Sequence, residues 1–165
     1  EDIFHYIYGV LHAPTYRSRY AEFLKRDFPR IPLPPDDAAF RACAEVGEKL
    51  VALHLLEAPS LNDPGIGYPI AGDHQVKKMR AVDRYNAQTQ RIMLNDSQYF
   101  ENVTQETWEF RVGGYQPAYK WLDDRNGRLL TDADITHYRK ALAAMRETVG
   151  LLGEADAAFG RLGIT

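Results

Sequence analysis

Cysteine is almost missing from this 165-residue chain, where Cys43 stands alone. A single thiol closes no intrachain disulfide and builds no Cys-based zinc cluster. It fits a reducing, cytoplasmic setting. Long apolar runs are missing too, so no segment reads as a bilayer span and no membrane partner is expected. The start of the chain has no basic n-region and no cleavage site of a secretory signal. It also has no initiator Met, and Glu1-Asp2 run straight into an aromatic-rich segment, as expected of a piece cut from a longer protein. Without secretion, the glycosylation-like Asn102-Val103-Thr104 carries no meaning.

An excess of positive charge is lacking as well. The formal net charge is -3, which counts mildly against a nucleic-acid-binding domain, commonly a basic one. Apolar residues at 45% and charged residues at 26% are ordinary globular usage and argue against disorder. The length suits one domain with one core.

Complete catalytic motifs are also absent. Ser18, Ser60 and Ser97 lie in no nucleophile elbow. Gly65-Ile66-Gly67 and Gly113-Gly114 have no following lysine-hydroxyl pair to wrap a phosphate. His5 and His12 can share a helix face but stand about 10 Å apart along the axis, too far for one metal ion. Pro35-Asp36 followed by Glu45, Glu48 and Lys49 is a faint echo of the metal-dependent nuclease pattern. It fails in detail, because Glu48 and Lys49 are adjacent and the segment is helical. The pairs Asp36/Asp37, Asp123/Asp124 and Asp132/Asp134 suit helix caps or solvent. No catalytic residue, metal site or cofactor is therefore assigned to this chain.

What is present is a readable order of elements. Ile3, Tyr6, Ile7, Val10 and Leu11 form the apolar stripe of a first helix, from about Asp2 to His12. Pro14 suits the first turn of a second helix that carries Tyr16, Tyr20, Phe23 and Leu24. The proline-rich stretch from Pro29 to Pro35 must be extended. Asp36 or Asp37 then caps a helix reaching about Glu57. A long Pro/Gly/Asn/Asp-rich loop follows, from Ala58 to His74. Strands are expected over Val76 to Tyr85 and Gln90 to Leu94, and a second pair over Tyr99 to Val103 and Thr107 to Val112. A short helix spans Tyr115 to Leu122, and Thr131-x-x-Asp134 resembles a capping box opening a last long helix to about Phe159. The class is α+β: N-terminal helices, a small mostly antiparallel sheet in the middle and a long C-terminal helix. We expect a single domain with a helical or docking part (1–57), a strand-rich part (75–114) and a helical part (115–165).

Charge is unevenly spread. Between Gln75 and Leu94 lie Lys77, Lys78, Arg80, Arg84 and Arg91 against the single acid Asp83, a net +4. Gln75, Gln88, Gln90, Asn95 and Gln98 are interspersed with them. Arg and Lys suit guanine edges or phosphates, and Asn and Gln suit adenine edges. A solvated sheet face would have the same composition. Gly113-Gly114 ahead of Gln116 and Lys120 would let the backbone approach a partner closely and present helix N–H groups to an anion. A strand-to-helix turn packed by Tyr119 and Trp121 is the plainer reading.

Several segments together resemble a known family. Asp2-Ile3-Phe4-His5-Tyr6-Ile7-Tyr8-Gly9-Val10-Leu11-His12, then Pro14-x-Tyr16-Arg17, and then Tyr20 through Pro32 are similar to the C-terminal part of Type ISP restriction-modification enzymes. Leu53-His54-Leu55-Leu56-Glu57, Gly113-Gly114-Tyr115-Gln116-x-x-x-Lys120-Trp121-Leu122 and Asp134-Ile135-x-His137-Tyr138 continue the pattern in order. The resemblance covers nearly the whole chain. It implies a target-recognition (specificity) domain following an adenine-N6 methyltransferase in a single-chain enzyme. The parent would use S-adenosylmethionine, ATP and Mg, and its methylation, ATPase and nuclease chemistry would lie outside this chain. The expected partners are double-stranded DNA and the adjacent methyltransferase domain. The resemblance assigns no individual DNA contact. From composition, the DNA-binding residues are expected to be Lys77, Lys78, Arg80, Arg84, Gln88, Gln90 and Arg91, with Gln116 and Lys120 as backbone contacts. The competing reading is a protein-interaction module coupling the methyltransferase to its neighbours. It calls for an exposed apolar patch around Tyr6, Tyr16 and Phe23.

Overall fold

The computed structural model describes residues 1–164. The chain divides into two compact units, Glu1–Ala58 with the chain from Gly150 onward, and Pro59–Val149. The first boundary falls where the helix-rich start gives way to the expected long loop. The second falls inside the last helix, whose end is grouped with the N-terminal helices.

In the first unit, α1 (Asp2–His12), α2 (Pro14–Arg19), α3 (Ala21–Leu24) and α4 (Asp37–His54) follow the apolar stripes of the sequence. Pro14 occupies the first turn of α2, and the helix expected to run through Tyr20 breaks there into α2 and α3. Asp36 caps α4 by accepting from Ala39 N at 2.8 Å, so it serves the helix start. Tyr6, Val10, Tyr16, Cys43, Val46 and Phe159 anchor the core. Burial pushes the Cys43 thiol up to about 11, which leaves it a packing residue. Two glycines set how closely α1 and α4 approach. A Cβ on Gly9 would lie 2.2 Å from the carbonyl oxygen of Cys43, and one on Gly47 would lie 1.8 Å from that of His5.

The second unit holds α5 (Ala81–Arg84), β1 (Tyr85–Asn86), β2 (Arg91–Met93), β3 (Tyr99–Phe100), α6 (Gln105–Glu109), α7 (Pro117–Asp123) and the start of α8 (Asp132–Gly160). The three strands form an antiparallel meander in the order β1-β2-β3. The α+β class is therefore as expected, but the sheet is smaller than the alternating sequence suggests. Residues 81–84, expected in a strand, form a helical turn that places Arg84 in the interior. The expected strand Thr107 to Val112 is instead α6 followed by a turn. Thr104 caps that helix by accepting from Thr107 N, and adjacent Thr107 and Trp108 are both buried. Strand alternation would send those neighbours to opposite faces.

The capping box at Thr131 forms in full: Asp134 N donates to Thr131 Oγ1 at 3.1 Å, and Thr131 N donates to Asp134 Oδ2 at 2.9 Å. An aspartate thus does the work usually given to glutamate. Further along α8, Tyr138 is fully buried, edge-on to Phe100 at 4.8 Å and stacked on Trp121 at 4.6 Å. Its hydroxyl donates to Ala118 O at 2.7 Å. No helix among the described residues is long and apolar enough to cross a membrane.

Gly47→Ala should drive α1 from α4, because the obstructing atoms are backbone. We expect a stability loss of about 3 kcal/mol or more, seen as a lower urea midpoint. A midpoint equal to wild type would contradict the close helix contact.

Tyr8, His12 and His54 also cluster in this unit, with Tyr8 Oη 2.7 Å from His54 Nδ1 and the His12 ring 5.3 Å from that of His54. Burial holds both histidines below their ordinary value. The unfolded chain therefore binds more protons as pH falls below about 6.5, and the stability present above that pH is lost on acidification. A His12→Asn/His54→Gln double variant should flatten the urea midpoint between about pH 7 and 5.5 relative to wild type. An equally steep loss in both would contradict the role given to these rings.

Candidate nucleic-acid interface

The basic stretch from Gln75 to Leu94 does not fold into one positive face. Arg84 is fully buried; its guanidinium donates to Lys77 O at 2.7 Å and to Met93 O at 2.9 Å, while its Nε makes no hydrogen bond. Burial lowers its pKa, opposed by Tyr138, Tyr119 and Asp123. It is a clasp joining two stretches of backbone and is out of reach of a ligand. Lys77 reaches Asp96 at 2.6 Å, Arg80 reaches Asp83 at 2.7 Å, and Arg91 stands 3.8 Å from Glu101 with its guanidinium 4.0 Å over the Tyr99 ring. Asp96 and Glu101 lie just beyond the basic stretch in sequence, and the meander folds them back onto it. Lys78 is exposed and makes no hydrogen bond or ion pair among the described residues.

The amides divide in the same way. Gln98 is buried, accepting from His74 N at 2.9 Å and Asn95 Nδ2 at 2.9 Å and donating to Ile70 O at 3.0 Å. A Cβ on Gly72 would lie 2.6 Å from the Gln98 side chain, so the loop passes directly over it. Gln98 and Asn95 therefore organise the loop and are not free to read bases. Gln116 is half-buried and donates to Trp108 O, and Lys120 pairs with Asp124 on the same helix. Gln88 and Gln90, by contrast, are exposed on the turn between β1 and β2, with Gln90 at φ 52.

Two open grooves border these residues. One, of about 670 Å³, is lined by Gln75, Lys77, Lys78, Asn95, Asp96 and Ser97 among others. The other, of about 610 Å³, is lined by Ala87 of the β1–β2 turn together with Gln105, Trp108, Glu109, Arg111 and Gln116. Lys77 N donates to Leu94 O at 2.9 Å, which fixes the lysine pair beside the far end of β2 from the turn. Arg91 to Leu94 spans about 10 Å of extended chain. No group of three or more His, Cys, Asp or Glu side chains among the described residues is placed to hold a metal ion.

The model of the Type ISP C-terminal specificity domain matches residues 1–154. The chain belongs to this family. The specificity domain is similar to part of a nuclease-deletion mutant of the Type ISP restriction-modification enzyme LlaGI, solved in complex with a DNA substrate mimic. Identity there is 29% and the TM-score 0.69, over 93% of this chain and 13% of that one. It shares its fold with part of the ATP-dependent Type ISP enzyme LlaBIII bound to DNA, at 21% identity and a TM-score of 0.68, over 93% of this chain and 11% of that one. The fold is also that of part of a DrdV-DNA complex, at 22% identity and a TM-score of 0.64, over 96% of this chain and 17% of that one. The domain thus spans only a small part of each of these chains. No curated protein matches it.

Because Arg84 holds Lys77 and the end of β2 together, Arg84→Met should take from the Lys77 and Met93 carbonyls the donors that the guanidinium gives them. The expected cost is about 2–4 kcal/mol in a urea titration. An unchanged midpoint would show that water or a neighbour replaces the guanidinium at no cost.

Proposed function

We propose that this chain reads a DNA target as the specificity domain of a larger Type ISP restriction-modification polypeptide. The observation that carries this reading is the family match across residues 1–154. The LlaGI, LlaBIII and DrdV structures that share its fold each contain DNA or a DNA mimic. Methyl transfer to adenine N6, ATP hydrolysis and cleavage then belong to the rest of the parent polypeptide, in the cytoplasm. So do S-adenosylmethionine, ATP and Mg, for which this chain has no binding motif. The adjacent methyltransferase domain and double-stranded DNA are the proposed partners.

The chemistry can be divided between the two ends of β2. Lys78 is the one cation of the basic stretch without a partner among the described residues and suits a phosphate. Gln88 and Gln90 on the turn suit adenine N6/N7, which a carboxamide meets with two hydrogen bonds. About 10 Å of strand between these ends equals about three base steps at 3.4 Å each, so one duplex can meet both. Lys77, Arg80, Arg91 and Lys120 would have to exchange carboxylate partners for phosphates. For exposed pairs such as Lys77–Asp96 and Arg80–Asp83 the exchange costs little. Arg84 and Gln116 support the site from within.

A second reading, docking onto a neighbouring domain, is favoured by an apolar groove of about 350 Å³ lined by Tyr16, Tyr20, Phe23, Ile31 and Pro32. Tyr6 and Tyr16 are themselves core residues, so the exposed patch expected around them is not formed as such. The most exposed large apolar side chains of this unit are Phe28 and Leu33, 87% and 90% accessible, with Ile3, Phe4 and Leu55 also exposed.

The test is a fluorescence-anisotropy titration of a mixed-sequence duplex at low and moderate salt, beside a Lys78→Ala/Gln88→Ala/Gln90→Ala variant. We expect salt-sensitive binding by the wild type and a loss of about tenfold or more in the variant. No binding by the wild type at low salt would overturn the DNA reading. Equal binding by the variant would overturn this assignment of residues and favour docking.

A further inference from the structure

The turn Val112–Tyr115 is a two-residue hairpin closed on itself. Val112 N donates to Tyr115 O at 3.1 Å and Tyr115 N to Val112 O at 3.4 Å. Gly113 takes φ +60, which explains one glycine. Gly114 is not explained in the same way. Its φ is not left-handed and nothing lies within 4 Å of a Cβ built on it, so the chain's own fold would accept alanine there. Glycine with no internal steric demand fits a backbone that a partner approaches closely.

Three side chains around this turn are also unused by the fold. Val112 and Tyr115 are 43% and 51% exposed. Arg111 is exposed and makes no hydrogen bond or ion pair among the described residues, whereas Lys77, Arg80, Arg91 and Lys120 are each paired. Arg111 also lines the groove that Ala87 borders, next to the turn carrying Gln88 and Gln90. The one acid of that groove, Glu109, accepts from Gln105 Nε2 at 2.8 Å.

We infer that Arg111, Gly114 and Tyr115 form a second DNA-contacting tip that shares a groove with the Gln88–Gln90 turn, an inference that rests on the DNA-recognition reading. The planar guanidinium of Arg111 grips a phosphate through two donors. Gly114 lets the tip close on the sugar-phosphate backbone. Tyr115, with Val112 beside it, packs against a sugar or a base edge, and an apolar side chain suits the methyl group of thymine. Duplex DNA is the occupant because the free cation, the bare backbone and the apolar tip flank the groove shared with the amide-bearing turn.

The test compares Arg111→Ala, Gly114→Ala and Tyr115→Ala with wild type in the same duplex titration, with a thermal melt of each. All three should melt as wild type does and bind about tenfold more weakly, and Arg111→Ala should reduce the slope of log affinity against log salt by about one. If these variants bind like wild type while the Lys78/Gln88/Gln90 variant loses binding, this inference fails and the DNA reading stands. If wild type binds no duplex, both fail together. A loss of binding matched by a lowered melting temperature would make the turn a structural element and overturn the inference.

Discussion

One buried guanidinium organises the unit that carries the candidate interface. Arg84 has no access to solvent, and its two donated hydrogen bonds tie the backbone at Lys77 to the backbone at Met93. A sheet whose strands are two or three residues long has few ladder bonds with which to define its ends. A cation that donates to two carbonyls does that work instead. Charge-assisted hydrogen bonds are the stronger kind, and leaving their acceptors bare in the interior is costly. The lysine pair at one end of β2 and the amide-bearing turn at the other therefore hold their spacing because Arg84 is inside.

The same unit shows why a linear count of charge misleads. Within the basic stretch the excess is net +4. The meander then sets Asp96 against Lys77 and Glu101 near Arg91, and Arg80 turns onto its own neighbour Asp83. Among the described residues Lys78 is the cation of that stretch left without a partner, and beyond the stretch Arg111 and Arg128 are exposed and unpaired as well. A surface on which most cations are already paired binds a polyanion by exchange of partners. Such a surface discriminates by where its few unpaired groups stand, more than by bulk attraction.

Close helix packing in the first unit depends on a different constraint, the absence of side chains. Gly9 and Gly47 let α1 and α4 meet backbone to backbone. The stripe of Tyr6 and Val10 is legible in sequence as a helix face, but nothing in the pattern says that Gly9 is a contact point. Tyr6 and Tyr16, aromatic residues that could as well have faced a partner, go into the core, with their hydroxyls donating to Pro32 O and Arg30 O at 2.7 and 2.9 Å. The proline-rich segment thus serves as the acceptor that lets two tyrosines be buried.

The sequence by itself determined the long helices α1, α4 and α8 and the points at which they start. Periodic apolar positions, Pro14, the Asp36 cap and the Thr131–Asp134 box are local signals, set by interactions within one or two turns. It also determined the class, because helices flank a turn-rich middle whatever the pairing there. It did not determine the middle. Residues 81–84 and 107–109, expected in strands, form helical turns because the burial of Arg84 in one, and of adjacent Thr107 and Trp108 in the other, outweighs their alternation. Which cations stay free was likewise decided only by tertiary structure. Pairing depends on residues such as Asp96 that lie outside the charged run and reach it through the sheet, and no local pattern in the chain encodes that distance.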